Sequence, residues 1–397
     1  MSHFAQVSQA PADPILGLTE QFRTDDRATK VNLGVGVYQD GDGKLPLLDA
    51  VRDAEEAIVA QHAPRGYLPI DGLALYDRAV QDLVFGADSV VLAEGRVATV
   101  QTLGGTGGLK VGADFLHQIT GATTAWISTP SWENHRAVFT RAGFEVRDYR
   151  YYDSAALGTD VDGMLADLDT ASEGDVVVLH ACCHNPTGYD LTAGDWTRVI
   201  DVVERKNLTA FLDMAYQGFG EGIAEDGAVI GRFVDAGLTF LVANSFSKTF
   251  SLYGERVGGL SVVTASAEEA KRVLSQLKIM VRTNYSNPPT HGASLVGTVL
   301  TTPDLRAQWE GELAQMRERI KSMRQQLAAK LADRGVDGMS HITAQNGMFS
   351  YSGLSKEQME RLRSEFGVYG LDSGRICVAA LNEHNLDYVA DAIAAVS

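Results

Sequence analysis

Six short runs of apolar, largely β-branched residues recur along this chain, and the stretches between them have the spacing of helices. The runs are Val97 to Leu103, Thr124 to Ser128, Val176 to His180, Thr209 to Asp213, Thr239 to Asn244 and Gly259 to Val263. A short continuous apolar run reads as a strand buried on both faces. Strands alternating with helices build an α/β domain around a mostly parallel, doubly covered sheet. Several of the runs end in a polar or Gly-rich cluster. Ligands of such folds bind beyond the carboxyl ends of the strands, so these clusters are expected to meet in space.

The pattern changes after Pro303. Trp309, Leu313, Met316, Ile320, Met323, Leu327 and Leu331 recur every three or four residues, which predicts a long helix with one apolar stripe. Thr302 and Pro303 suit its cap and first turn, and Gly335 to Gly338 ends it. A strand is expected at Gly347 to Tyr351, a helix at Lys356 to Phe366 and a second strand near Ile376 to Ala379. These form a smaller α+β domain with the long helix as the connection. The segment before Leu16, with Pro11 and Pro14 and few core candidates, reads as an arm lying on another surface.

Charge narrows the partners. The 34 basic and 51 acidic side chains leave a net charge of −17. A surface that negative repels phosphate, which argues against nucleic acid or an anionic membrane as partner. No apolar stretch reaches the roughly 18 residues of a membrane span. The first residues have neither the basic nor the apolar region of a secretory signal. Three cysteines, an odd number, fit a reduced, cytoplasmic protein. Cys182, Cys183 and His184 resemble metal ligands, but adjacent residues of an extended segment point to opposite faces and cannot converge without a special turn. They are read as structural, with no metal expected.

The chemistry concentrates in Asn244-Ser-Phe-Ser-Lys-Thr-Phe-Ser-Leu-Tyr-Gly-Glu-Arg-Val-Gly-Gly259. Lys248 lies among Ser245, Ser247 and Thr249, directly after an apolar strand, with Arg256 eight residues on. An amine beside hydroxyls and a guanidinium is what anchoring pyridoxal phosphate on a lysine requires. Gly104-Gly-Thr-Gly-Gly108 follows another strand and precedes a helical pattern starting at Leu109, an anion cradle if the backbone is close. Asp213 closes a strand and is suited to pair with a protonated pyridine nitrogen; alone it would read as a helix cap. Tyr216 and Asn185 offer a phenol and an amide to the ring's phenolate oxygen. Trp132 can stack on a ring, and His135 follows it. Arg282 and Arg375 are candidates for gripping substrate carboxylates with paired hydrogen bonds.

With these residues assembled, the chain resembles the class I (fold type I) pyridoxal-phosphate aminotransferases of the aspartate and aromatic-amino-acid type. The likeness runs from Asn32-Leu-Gly-Val-Gly36 to Ser373-Gly-Arg375. Within that family it is most similar to the bacterial aromatic-amino-acid (tyrosine) aminotransferases. Phe246 between two serines and Gly254 in Ser251-Leu-Tyr-Gly-Glu-Arg-Val-Gly-Gly259 stand where the aspartate branch usually has Tyr and Asn. Leu45 replaces a Thr usual in aspartate-specific enzymes, Gly66 matches neither branch, and Thr106 and Asn287 are aspartate-like.

The resemblance implies a large cofactor-binding domain with a mostly parallel seven-stranded sheet covered by helices, and a smaller α+β domain joined by a long helix. The division is an arm over 1–14, a large domain over 46–305 and a small domain from 15–45 with 306–397. It implies further that Lys248 is joined to the cofactor aldehyde and shuttles the α-proton. Asp213 would hold the ring nitrogen, Tyr216 and Asn185 would face the phenolate oxygen, and Trp132 would stack on the ring. Gly105, Thr106, Ser245, Ser247 and Arg256 would hold the phosphate, with Tyr67 reaching in from a partner subunit. Arg375, aided by Gly36 and Asn185, would bind the α-carboxylate. Arg282, also from the partner, would bind a side-chain carboxylate; because burying an unpaired guanidinium costs several kcal/mol, it is expected to swing toward solvent when the ligand is aromatic. His135 and His180 would orient Asp213. The expected reaction moves the amino group of phenylalanine, tyrosine or tryptophan, and of aspartate, to 2-oxoglutarate in a homodimer. The alternatives are an aspartate aminotransferase with weak aromatic activity, a β-lyase or decarboxylase, and a cofactor-sensing regulator.

Overall fold

Consecutive residues of the central strands bury into opposite sides of one sheet. Val176 and Val178 join one apolar cluster while Val177 and Leu179 join another, and Phe211 opposes Ala210 and Leu212 in the same way. With both faces packed, neither face can be polar, which is why these strands read as unbroken apolar runs. The computed structural model describes residues 2–10 and 16–397. Its main sheet has seven strands: β1 (Val97–Leu103), β2 (Thr124–Thr129), β3 (Glu145–Arg150), β4 (Val176–His180), β5 (Thr209–Met214), β6 (Phe240–Ser245) and β7 (Val257–Val263). Their spatial order is β1-β7-β6-β5-β4-β2-β3. Only β7 runs against its neighbours; the other pairings between adjacent strands are parallel.

Six of these strands match the runs seen in the sequence to within two residues. β3 has no counterpart among them. Its residues are Glu-Val-Arg-Asp-Tyr-Arg, it lies at the sheet edge, and of its side chains only Tyr149 is fully buried. An edge strand open to water keeps its charges and loses the apolar signature. The second difference is at the glycines. The helix expected from Leu109 begins at Gly104 and runs to Phe115, so Gly104-Gly-Thr-Gly-Gly108 forms its first turns. Glycine is a poor helix former, and packing overrides that propensity here.

The long helix spans Pro303–Asp333 and buries all seven residues of the stripe together with Arg324. Pro303 occupies its first turn; Thr302 is the cap residue, although its side chain makes no capping bond. Beyond it, β8 (Phe349–Tyr351) pairs antiparallel with β9 (Arg375–Cys377), and a helix covers Lys356–Phe366. The expected continuation of β9 to Ala379 is instead a 3-10 turn over Val378–Ala380. Val31–Asn32 pairs with Val368–Tyr369, tying the early chain to these late elements. Pro11 and Pro14 lie outside the described residues. Among the described residues, no helix is long and apolar enough to cross a membrane.

Cys182 and Cys183 converge through a special turn past the end of β4, where Cys183 takes a left-handed backbone with φ 51°. Their sulfurs and a carboxylate oxygen of Asp226 come within 4.8 Å of one another. His184 is not part of that group. Its Nε2 pairs with the Ser128 hydroxyl at 2.9 Å, its Nδ1 with Thr187 at 2.8 Å, and its ring stacks on Tyr151.

Candidate active site

The carboxyl ends of the parallel strands deliver the polar clusters to one place. β4 ends at His180 opposite Asp213 of β5, and β6 ends at Ser245, three residues before Lys248. A cavity of about 260 Å³ opens there. It is lined by Gly36, Gly105, Thr106, Trp132, His180, Asn185, Asp213, Tyr216, Ser245, Ser247, Lys248, Arg256 and Arg375 among others. These are the candidates chosen from the sequence, drawn from segments more than three hundred residues apart.

Lys248 faces this cavity with its Nζ 4.9 Å from the centre of the Tyr216 ring. Burial draws its amine down from the ordinary lysine value to about 8; Asp213 opposes the shift, and Arg256 and Arg375 add to it. Burial alone would raise Asp213. The bond from His135, with the nearby Lys248, outweighs burial and holds the carboxyl below its usual range. Asp213 is therefore ionised and can only accept hydrogen bonds. His135 Nε2 lies 2.9 Å from Asp213 Oδ2 and donates to it, while its Nδ1 pairs with the Ser131 hydroxyl at 2.9 Å.

His180 behaves differently from expectation. It lies within 4.8 Å of the Asp213 and His135 atoms, but neither of its ring nitrogens has a hydrogen-bond partner among the described residues. It therefore does not bond Asp213. Burial, with His184 and His135 close by, keeps it neutral, its pKa well below the ordinary value.

Two other corners of the cavity are suited to anions. Arg256 stands at φ 54° and its Nη1 donates to Ser247 Oγ at 3.1 Å. A Cβ on Gly104 would sit 2.4 Å from the Arg256 guanidinium and push it aside, and Gly104 itself has φ +69°, where any larger residue is strained. Gly105 and Thr106 occupy the first turn of the Gly104–Phe115 helix, where free amides and the helix dipole favour negative charge. The second corner is Arg375, which is 1% exposed. Its Nη1 donates to Asn185 Oδ1 at 3.0 Å and its Nη2 to the Gly34 carbonyl at 2.6 Å, while its Nε has no partner among the described residues. An unpaired donor on a buried guanidinium is costly unless an anion completes it.

Phe349 and Tyr253 also line this space and went unread in the sequence. Phe349 lies under the Arg375 guanidinium at 4.1 Å, edge-on to Tyr216. It also explains Gly36, where a Cβ would meet the Phe349 ring at 2.6 Å. Tyr253 Oη accepts from the Tyr38 amide at 2.9 Å. Neither has a local signal, since an aromatic in a strand or turn ordinarily reads as core.

Tyr67 and Arg282 do not join the cavity. Tyr67 is 95% exposed. Arg282 is exposed at the end of the Ala267–Asn284 helix, its Nη1 bonded to Ser286. Leu45 and Gly66 also lie outside it, and Asn287 ties the Tyr67 loop by donating to the Leu68 carbonyl at 3.1 Å.

An amine of lowered basicity, an ionised carboxylate and two anion-binding corners fit a phosphorylated aldehyde cofactor with an aromatic nitrogen. Comparison with known proteins agrees with that chemistry. The family model described as "Aminotransferase class I and II" matches residues 28–393. The chain is 57% identical over 394 residues to an aspartate aminotransferase of Pseudomonas aeruginosa, covering 99% of both. It is 51% identical over 398 residues to an aromatic-amino-acid aminotransferase of Escherichia coli, covering 99% of this chain and 100% of that one. The crystal structure of an aromatic-amino-acid aminotransferase from Burkholderia pseudomallei, covalently bound to pyridoxal phosphate, superimposes with a TM-score of 0.97 at 59% identity over the full length of both chains. The lysine, the aspartate and the arginines of this cavity thus sit in a chain that belongs to the class I and II aminotransferases.

Proposed function

We propose that this chain, as a homodimer in the cytoplasm, uses pyridoxal phosphate to move the amino group of phenylalanine, tyrosine, tryptophan and aspartate to 2-oxoglutarate. The observation that carries this reading is Lys248, an amine drawn down to about 8 in one cavity with ionised Asp213. When bound, the cofactor supplies an aldehyde for the amine and a ring that spreads the charge left by the α-proton. Lys248 Nζ takes that proton and returns it. The Asp213 carboxylate accepts from a protonated ring nitrogen, and His135 keeps it oriented and charged. The phenol of Tyr216, raised by burial, stays protonated and donates. Arg256, Ser245, Ser247, Gly105 and Thr106 hold the phosphate, and Trp132 covers the ring. Arg375 and Asn185 hold the α-carboxylate beside Gly36. Tyr67 and Arg282 serve the site of a second copy, which their exposure supports. The residues divide into an arm over 1–14, a large domain over 46–305 and a small domain from 15–45 with 306–397. The pairing of Val31–Asn32 with Val368–Tyr369 supports that grouping.

Breadth toward aromatic substrates needs Arg282 to leave the pocket, because burying an unpaired guanidinium costs several kcal/mol. Its exposed position at a helix end leaves it room to do so. A second reading, an aspartate aminotransferase with weak aromatic activity, is favoured by the 57% identity to the Pseudomonas aeruginosa aspartate aminotransferase. Specificity constants for phenylalanine, tyrosine, tryptophan and aspartate with 2-oxoglutarate decide between them. Comparable values for phenylalanine and aspartate are expected; negligible turnover of all three aromatic substrates would leave the second reading. Lys248→Ala is expected to abolish turnover with the fold intact, and full activity in that variant would remove the lysine from the mechanism.

A further inference from the structure

Away from this cavity, Cys182, Cys183 and Asp226 form a buried cluster that amino transfer does not use. One sulfur from each cysteine and one carboxylate oxygen lie within 4.8 Å of one another. The two thiols share a side only because Cys183 holds φ 51°, a conformation rare for a residue with a Cβ. We propose that these three residues form a binding site for a thiophilic divalent cation of the Zn²⁺ or Cd²⁺ class, and that filling it inhibits the enzyme.

Donor type, spacing and access support this. Thiolates and a carboxylate are the ligands that such ions select. Ligands at 2.3 Å around a tetrahedral ion are about 3.8 Å apart, so a contraction of about 1 Å closes the set. A larger ion such as Cd²⁺ needs less. The Asp226 carboxylate is already held in place by the amides of Gly218, Gly220 and Glu221 at 2.7, 2.9 and 2.9 Å. Beside it a cavity of about 230 Å³ is lined by Cys182, Asp226, Asp190, Glu221, Glu225 and Arg232. Four carboxyl groups, against the Arg232 guanidinium and the Lys321 ammonium that pairs with Glu221 at 2.9 Å, leave a net negative lining that favours cations, and the opening admits water as a fourth ligand. On binding, two metal–sulfur bonds and one metal–oxygen bond form, and the two thiol protons pass to solvent. No oxidation is involved.

The link to activity is short. Cys183 Sγ donates to the Tyr216 carbonyl at 3.9 Å, a bond that a metal-bound thiolate cannot make. The Cys183 and His184 amides donate to Asp190 at 3.0 and 2.9 Å, and the next residue, Asn185, holds Arg375 at 3.0 Å. Drawing Cys183 toward an ion therefore displaces two walls of the active cavity.

The test is a chelator-buffered Cd²⁺ titration of the cofactor-loaded enzyme, following bound metal by equilibrium dialysis and the ultraviolet cadmium–thiolate charge-transfer band. About one Cd²⁺ per chain is expected, with the band and a loss of turnover of about tenfold or more that a chelator reverses. Cys182→Ser and Cys182→Ala should lose both band and inhibition while retaining turnover, and Cys377→Ser, at the remaining cysteine, should keep both. Absence of the band at millimolar Cd²⁺, or its survival in both Cys182 variants, overturns the site. A band without loss of turnover overturns the inhibition. Because the band does not depend on turnover, its outcome is separate from that of the aminotransferase reading.

Discussion

Burial pulls the Lys248 amine down while Asp213 pushes it up, and the balance near 8 sets how much free base is present at neutral pH. In the cofactor-free protein, the rate at which Lys248 condenses with an aldehyde should rise with pH and level off above about 8. An ordinary lysine would keep gaining reactivity to about 10.4. Asp213→Asn removes the charge that favours the ammonium form, so the midpoint should fall below the wild-type value. Stopped-flow absorbance across a pH series measures both, and an unchanged midpoint in the variant would mean the carboxylate does not act on the amine. At this scale the sequence was highly legible. The lysine, the aspartate and the arginines are residue types with few structural uses after a buried strand. Phe349 was illegible because its role depends on which guanidinium it lies under.

The long helix Pro303–Asp333 joins distant parts of the chain through two buried side chains with polar contacts, Trp309 and Arg324. Near its start, Trp309 Nε1 donates to the Thr249 carbonyl at 2.8 Å, and its ring stacks on Phe250 at 4.5 Å. This fixes the segment just after Lys248. Trp309→Ala should cost about 3–5 kcal/mol in urea unfolding, the range for large buried aromatics. Further along, Arg324 is 2% exposed with no carboxylate partner among the described residues, and it donates to the carbonyls of Gly347 and Phe349 and to Ser350 Oγ. Arg324→Met leaves these acceptors unpaired, at about 1–3 kcal/mol each, partly offset by no longer burying a charge. A net loss of about 2–4 kcal/mol is expected, with a raised KM for amino acid as Phe349 shifts under Arg375; unaltered stability and KM would refute the clamp. The apolar stripe of this helix was plain in the sequence. Arg324 was hidden in it because a charged residue in a helix ordinarily faces water.

At the scale of the whole molecule, the cavity lacks two residues that its proposed chemistry uses, Tyr67 and Arg282, both of which face outward. Sharing across a two-fold interface predicts complementation. Dimers of Lys248→Ala and dimers of Arg282→Asp should each be inactive toward aspartate. After reversible dissociation and mixing in equal amounts, half the dimers are mixed and one site in each is intact. About a quarter of wild-type aspartate turnover should return. No recovery in mixtures shown by native mass spectrometry to contain mixed dimers would mean that each chain builds its own site.

What the chain's order of residues determined alone was periodicity and residue type. Unbroken apolar runs specify strands covered on both faces, a three-and-four spacing specifies the long helix, and a lysine among hydroxyls specifies a reactive amine. Such signals are local and survive without coordinates. Tertiary packing decided the rest. It made β3 a strand despite its charges, drew Gly104, Gly105, Gly107 and Gly108 into a helix, left His180 without a bond to Asp213, and turned two adjacent thiols to one side. Each of these depends on neighbours distant in sequence, whose positions no local pattern encodes.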